Sequence, residues 1–216
     1  MLGAYTRSMR FSPLAAALVL STQGCGTPDT ASPADAPVAE EGLATTIIDG
    51  AIAFHGALDA RDTLRFTKRS HLYDSTGATE RDTTGAYAIA TAPLRAGATD
   101  AERAAHFTAT LPWRLRDEGA VLTVLADTTV FGHVVHAVRA DYPGGGDPWT
   151  HYFEVGTGRH AGYFVDHGGR DALVENRRDT TVAGLVLPAE RETTRVEAGA
   201  APWLRGRFGY RYTSAQ

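Results

Sequence analysis

The side chains that could do chemistry are few and scattered. The chain carries eight histidines and one cysteine. Beyond residue 24 its only serines are Ser32, Ser70, Ser75 and Ser214, none in a nucleophile context. No G-x-S-x-G elbow, Walker loop, post-strand G-x-G-x-x-G or H-E-x-x-H is present. His167-Gly168-Gly169 has the composition of an oxyanion loop, but without a nucleophile it reads as a Gly-rich turn after a strand. His133 and His136 have a ligand-like spacing, yet residues three apart on a strand point to opposite faces. His151, His160 and His167 fall on neighbouring strands or their ends, with Asp166 adding a carboxylate. They make a metal-dependent envelope enzyme the least favoured of three readings; the alternative is solvent-facing imidazoles with one or two satisfied in the core. His55 ends a helical segment, where an imidazole meets the dipole and the last carbonyls, a structural role. No catalytic residue, metal or cofactor is assigned, and a non-enzymatic protein is expected.

Cys25 is the exception, and its context is compartmental. Arg7 and Arg10 precede a ten-residue apolar stretch over residues 11–20, about half of the roughly 20 residues a spanning helix needs. No acidic residue occurs before Asp29. Residues 1–24 therefore read as an export signal and not as a membrane anchor. A lone cysteine after an apolar stretch and Gly24 resembles a bacterial lipobox, in which the thiol is acylated and becomes the mature N-terminus. Gly26 follows, not Asp, which by resemblance to enterobacterial sorting rules implies the outer membrane. Removing residues 1–24 would leave 192 of the 216 residues and move the net charge from −4 to −6.

That charge offers no electrostatic footprint for nucleic acid, and no nucleic-acid partner is expected. Hydrophobic residues at 43% and charged residues at 21% are ordinary for a globular domain. One cysteine excludes an intramolecular disulfide. Lys68 is the only lysine among 21 basic residues, which reads as codon bias.

The elements that must position these side chains follow from periodicity. Residues 26–40 are rich in Pro, Ala, Asp, Thr and Ser and read as a flexible tether. The expected layout is a signal peptide over 1–24, acylated cysteine and tether over 25–40, and one domain over 41–216. Leu43, Ile47, Ala51, Phe54 and Leu58 recur at helical steps, with Gly56 as a stop. Residues 63–73 alternate as a strand, Asp74 to Gly77 form a turn, and residues 79–90 are a weaker strand or loop. Thr99 to Glu102 fits a capping box for a second helix that Pro112 ends. From Val121 onward the chain reads as antiparallel β: strands over 121–131 and 134–142 joined through Gly132-His133, then 149–155, 160–166, 173–179, 185–195 and 207–212.

The order and spacing of five segments carry a resemblance that spans roughly residues 43–196. They are IIDGAIAFHG from Ile47, LPWRLRDEGA from Leu111, the Asp127-Thr128-Thr129-Val130 strand, YFEVGTGR from Tyr152 and GLVLP from Gly184. Together they resemble a family of uncharacterised bacterial lipoproteins, itself similar to the Lol-type outer-membrane lipoprotein carriers and receptors. The resemblance implies an α+β fold: a strongly curved antiparallel sheet, an unclosed half-barrel, with helices packed in its concave side. It also implies acyl chains or whole lipids as ligands, and no catalytic residues.

On that fold the candidates for an apolar lining are Phe66, Leu72, Trp113, Val138, Phe153, Tyr163 and Tyr210. Each is equally readable as filled core. Pro112-Trp113 reads either as an exposed apolar tip or as a lid packed on the sheet. The expected protein is a monomer held to a membrane through Cys25, facing the periplasm or the cell surface, with a lipid or a lipoprotein's lipid moiety as cargo. The rival is an interaction or sensory lipoprotein with a filled core.

Overall fold

The computed structural model describes residues 36–58, 63–90, 92, 100–116, 119–142 and 146–215. The expected signal peptide, Cys25 and the Thr99 end of the capping box lie outside them. Helix α1 spans Ala36–His55 and α2 spans Asp100–Ala109, with a 3-10 turn over Trp113–Arg116. Ten strands follow in chain order: β1 Thr63–Tyr73, β2 Thr79–Ala90, β3 Val121–Val124, β4 Thr128–Val130 and β5 His133–Asp141. The rest are β6 Trp149–Glu154, β7 His160–Val165, β8 Arg170–Val182, β9 Leu185–Glu197 and β10 Trp203–Ala215.

All ten strands form one antiparallel sheet in the order β2-β1-β10-β9-β8-β7-β6-β5-β3, with β4 also on β5. The sheet does not close; β2 lies at one end, β3 at the other. Strand β10 lies between β1 and β9, so the last strand joins the first hairpin to the meander. It runs well past the expected residues 207–212, because it has a partner on each side and ladder bonds do not depend on side-chain type. Pro188 can sit inside β9 because β8 is irregular opposite it, with register shifts between Asn176 and Asp179.

Two hairpins show how the turn chemistry sets register. Ala183 and Gly184 both have positive φ, 50° and 81°, and join β8 to β9 as a two-residue loop. Phe131 and Gly132 do the same between β4 and β5, at 56° and 83°, so Val130 pairs with His133. The expected loop of Gly132-His133 is therefore displaced by one, and His133 is the first residue of β5. The single strand expected over 121–131 is broken at Leu125 to Asp127, and Asp127 there bonds His136 Nδ1 at 2.8 Å.

Helix α1 begins at Ala36, inside the segment expected to be tether. Its buried face is Ala44, Ile47, Ile48, Ala51 and His55, which rotates the expected stripe by about one residue and leaves Leu43 half exposed. Gly56 stops the helix for two reasons: φ is +86°, and a Cβ there would lie 2.6 Å from the Gly184 carbonyl oxygen. Gly158, at φ +77°, lets the β6–β7 turn close on the Gly50 carbonyl of α1.

The helices occupy the concave side and divide the core. Under α1, its aliphatic face packs on Val138, Ala140, Phe153, Tyr163, Val165 and Val174 of β5 to β8, with Leu111 and Leu115 closing one side. Full burial of such a side chain contributes roughly 1.5–3 kcal/mol. A second cluster holds Leu64 and Phe66 of β1 with Leu185 and Leu187 of β9, and Ala109 of α2 and Trp113 pack against it. No helix among the described residues is long and apolar enough to cross a membrane.

Candidate functional site

The second half of the concave side holds the candidate site. Alternation puts Leu64, Phe66 and Lys68 of β1 inward, opposite Ile89, Tyr87 and Gly85 of β2. On the other flank Tyr212 and Tyr210 of β10 stand opposite Phe66 and Lys68. Helix α2 covers this surface with small side chains, Ala105, Thr108 and Ala109, leaving a crevice of about 40 Å³. Its sheet wall is aromatic: the Phe66 ring stacks on Tyr87 at 5.4 Å and meets Tyr212 at 5.3 Å and Tyr210 at 5.8 Å.

Two cations border the crevice. Lys68 Nζ sits 4.7 Å from the centroid of the Phe208 ring and 5.8 Å from that of Tyr210. Arg191 follows Leu185, Leu187 and Ala189 on the inward face of β9 and is only 4% exposed. It donates from Nε to Asn176 Oδ1 at 2.8 Å and from Nη1 to the Thr108 carbonyl of α2 at 3.1 Å. Its guanidinium lies 5.5 Å from the Tyr210 centroid. One hydrogen bond thus ties α2 to the sheet through a buried charge. Burial raises the Tyr163 phenol to about 12 and moves that of Tyr212 in the same direction, so both stay neutral.

The sequence-derived candidates separate sharply. Phe66 and Tyr210 line the crevice. Val138, Phe153 and Tyr163 are packed under α1, at 0%, 0% and 6% exposure. Trp113 is the packed form of its two readings: its Nε1 donates to the Gly56 carbonyl at 2.8 Å, and its ring joins the second cluster. Leu72 lies at the far end of β1 against Gly206, away from the crevice. Lys68, Tyr87, Ile89, Arg191 and Tyr212 were not singled out. The signal for Arg191 was its place in the inward alternation of residues 185, 187, 189 and 191.

The histidines also rearrange. His151 and His160 meet, Nδ1 to Nε2 at 3.3 Å, but their third member is His55 and not His167. The His160 backbone N–H donates to His55 Nε2 at 3.0 Å, and His55 Nδ1 bonds the Val186 carbonyl at 2.7 Å. His55 is thus a strut between the end of α1 and strands β7 and β9. Asn176 Nδ2 donates to the His160 carbonyl at 2.8 Å, which links this triad to Arg191. Burial holds His55 and His160 below the usual imidazole range and takes His151 to about 3. His151 Nε2 has no hydrogen-bond partner among the described residues. His167 instead pairs with Asp147 at 2.6 Å on the surface. No group of three His, Cys, Asp or Glu side chains that could hold a metal occurs among the described residues.

No protein-family model and no curated protein matches the sequence. Among solved structures, the chain is similar to a LolA superfamily protein from Nitrosomonas europaea. The TM-score is 0.52 at 9% identity, over 80% of this chain and 92% of that one. It also aligns with a DUF1329 family protein from Desulfovibrio piger, at TM-score 0.41 and 8% identity over the same shares. At 9% identity the first likeness is one of fold: the chain has the unclosed half-barrel of the LolA type.

Proposed function

We propose that this is a lipid-anchored envelope protein that binds a hydrophobic ligand on the concave side of its half-barrel. The ligand is an acyl chain, a lipid or the lipid moiety of a lipoprotein. The observation that carries this reading is the mismatch at α2: small helix residues face large aromatic ones across a crevice. Ligand pockets usually run from about 300 to 1,000 Å³. The crevice, at about 40 Å³, is smaller than that, so this reading requires α2 to move off the aromatic wall for a chain to enter. Each methylene that leaves water contributes about 0.8 kcal/mol, so transfer between donor, cavity and acceptor needs no reaction. Extraction of the purified protein with organic solvent, followed by lipid mass spectrometry, tests the reading. The expected result is one class of lipid at close to one molecule per protein; protein that is empty in repeated preparations overturns it.

The packing under α1 favours a second reading, an interaction or sensory lipoprotein with a filled core. That reading expects stable protein partners and no lipid cargo after crosslinking in cells. Anchoring is separable from both. The Cys25→Ala variant is expected to leave the membrane fraction and appear in the soluble one. A variant that stays with the membrane would show that Cys25 is not the anchor.

A further inference from the structure

Lys68 and Arg191 are the two cations that line the crevice. Arg159, half-buried elsewhere on the sheet, is matched by two carboxylates, Glu154 at 2.8 Å and Asp179 at 2.6 Å. On the surface Arg69, Arg139, Arg177 and Arg207 each meet an Asp or Glu. Neither Lys68 nor Arg191 has a carboxylate within 4 Å among the described residues, although Arg191 is 4% exposed. The groups that meet the Arg191 guanidinium are neutral: Asn176 Oδ1, the Thr108 carbonyl and the Tyr210 phenol. Both cations flank one ring, Tyr210, at the border of the crevice. The sole lysine of the chain is thus placed where a strand alternation otherwise puts Leu64 and Phe66.

We infer that the ligand is an amphiphile with an anionic head, a carboxylate or a phosphate, which sits between Lys68 and Arg191 while its chain lies along Phe66, Tyr87 and Ile89. The inference rests on the carrier reading and narrows it. The head supplies a counter-charge that the described residues around the crevice do not, and the aromatic wall receives the chain. Arg191 has a further consequence: its Nη1 holds the Thr108 carbonyl of α2, so an anion that recruits this guanidinium competes with the bond closing the crevice.

The test compares four probes of equal chain length on the purified, lipid-free protein by calorimetry below their micellar concentrations. They are dodecanoate, dodecyl phosphate, dodecanol and dodecyltrimethylammonium. At least one of the two anions is expected to bind about tenfold more tightly than the alcohol, the worth of one charge-assisted contact. The cation is expected to bind more weakly than the alcohol. Dodecanoate alone points to a free fatty acid as the source, and dodecyl phosphate alone to a phospholipid head. The K68M variant, which keeps an apolar stem, is expected to bring anion affinity down about tenfold, to the level of the alcohol. K68R is expected to retain the preference. Equal affinity for alcohol and both anions, or an unchanged anion affinity in K68M, overturns the head-group assignment and leaves the carrier reading standing. Failure of all four probes to bind overturns both.

Discussion

Lowering the pH by two units from 6.5 is expected to remove about 2 kcal/mol of folding stability through His151 alone. The reason is that burial takes this imidazole to about 3 from its ordinary 6.5. The unfolded chain binds a proton in that window and the folded chain does not. Stability is therefore complete well above 6.5, and below it the loss approaches about 1.4 kcal/mol per unit and per histidine as the pH drops toward the folded value. His160 is shifted well down by the same cause, with the neighbouring His151 and His55 pushing the same way, and adds to the loss. His55 adds a geometric reason: a proton on Nε2 would face the backbone N–H of His160 that it now accepts. Urea midpoints across this range check the prediction. A flat profile would mean that the triad is not buried as a neutral cluster. H151F tests the origin: it removes the unpartnered Nε2 together with the Nδ1 contact to His160, and should flatten the acid limb by about one histidine's share.

The second large effect is expected at Phe153, which the sequence offers equally as ligand lining or as core. The structure places it at 0% exposure under α1, 5.2 Å from the ring of His160. Its truncation to alanine should cost about 3–5 kcal/mol, as large-to-small changes in packed cores do. That corresponds to a fall in melting temperature on the order of 10 °C for a domain of this size. Denaturant titration of F153A measures it. A loss below about 1 kcal/mol would mean that the α1 side is a cavity and not a core, and would move the binding site there.

Both predictions concern one buried region under α1, where His151 and Phe153 share the ring of His160, and that region was only partly legible in the sequence. Strong alternation and turn residues placed β1 at residues 63–73 with its bounds intact, and they placed the β8–β9 hairpin around Val182-Ala183-Gly184, where Val182 pairs with Leu185 and the loop is the last two. Where the local signal was ambiguous the structure moved it. Phe131 takes a positive φ that a rule based on glycine would assign one residue later, and the loop shifts accordingly. Leu43 seemed to start the buried stripe of α1, but the packing against β5 to β8 selects Ala44 and Ile48. The difference between Phe66, which lines a crevice, and Phe153, which fills a core, cannot come from either residue's neighbours in sequence. It comes from which helix lies above each strand and how large its side chains are.

By its own residues the chain determined a fold class, an antiparallel sheet with two early helices, because strand and helix periods are local properties. It also determined a solitary cysteine behind an apolar stretch, the basis of the proposed anchor. The tertiary structure alone decided which polar side chains share a space. His55 and His160 are 105 positions apart, and Lys68 and Arg191 are brought to one tyrosine only because β10 inserts between β1 and β9. Alternation shows that a charged residue points inward; only the helix above it shows that Arg191 is buried and that Lys68 borders the same aromatic crevice, and that is what makes an ordinary lysine and arginine a candidate anion site.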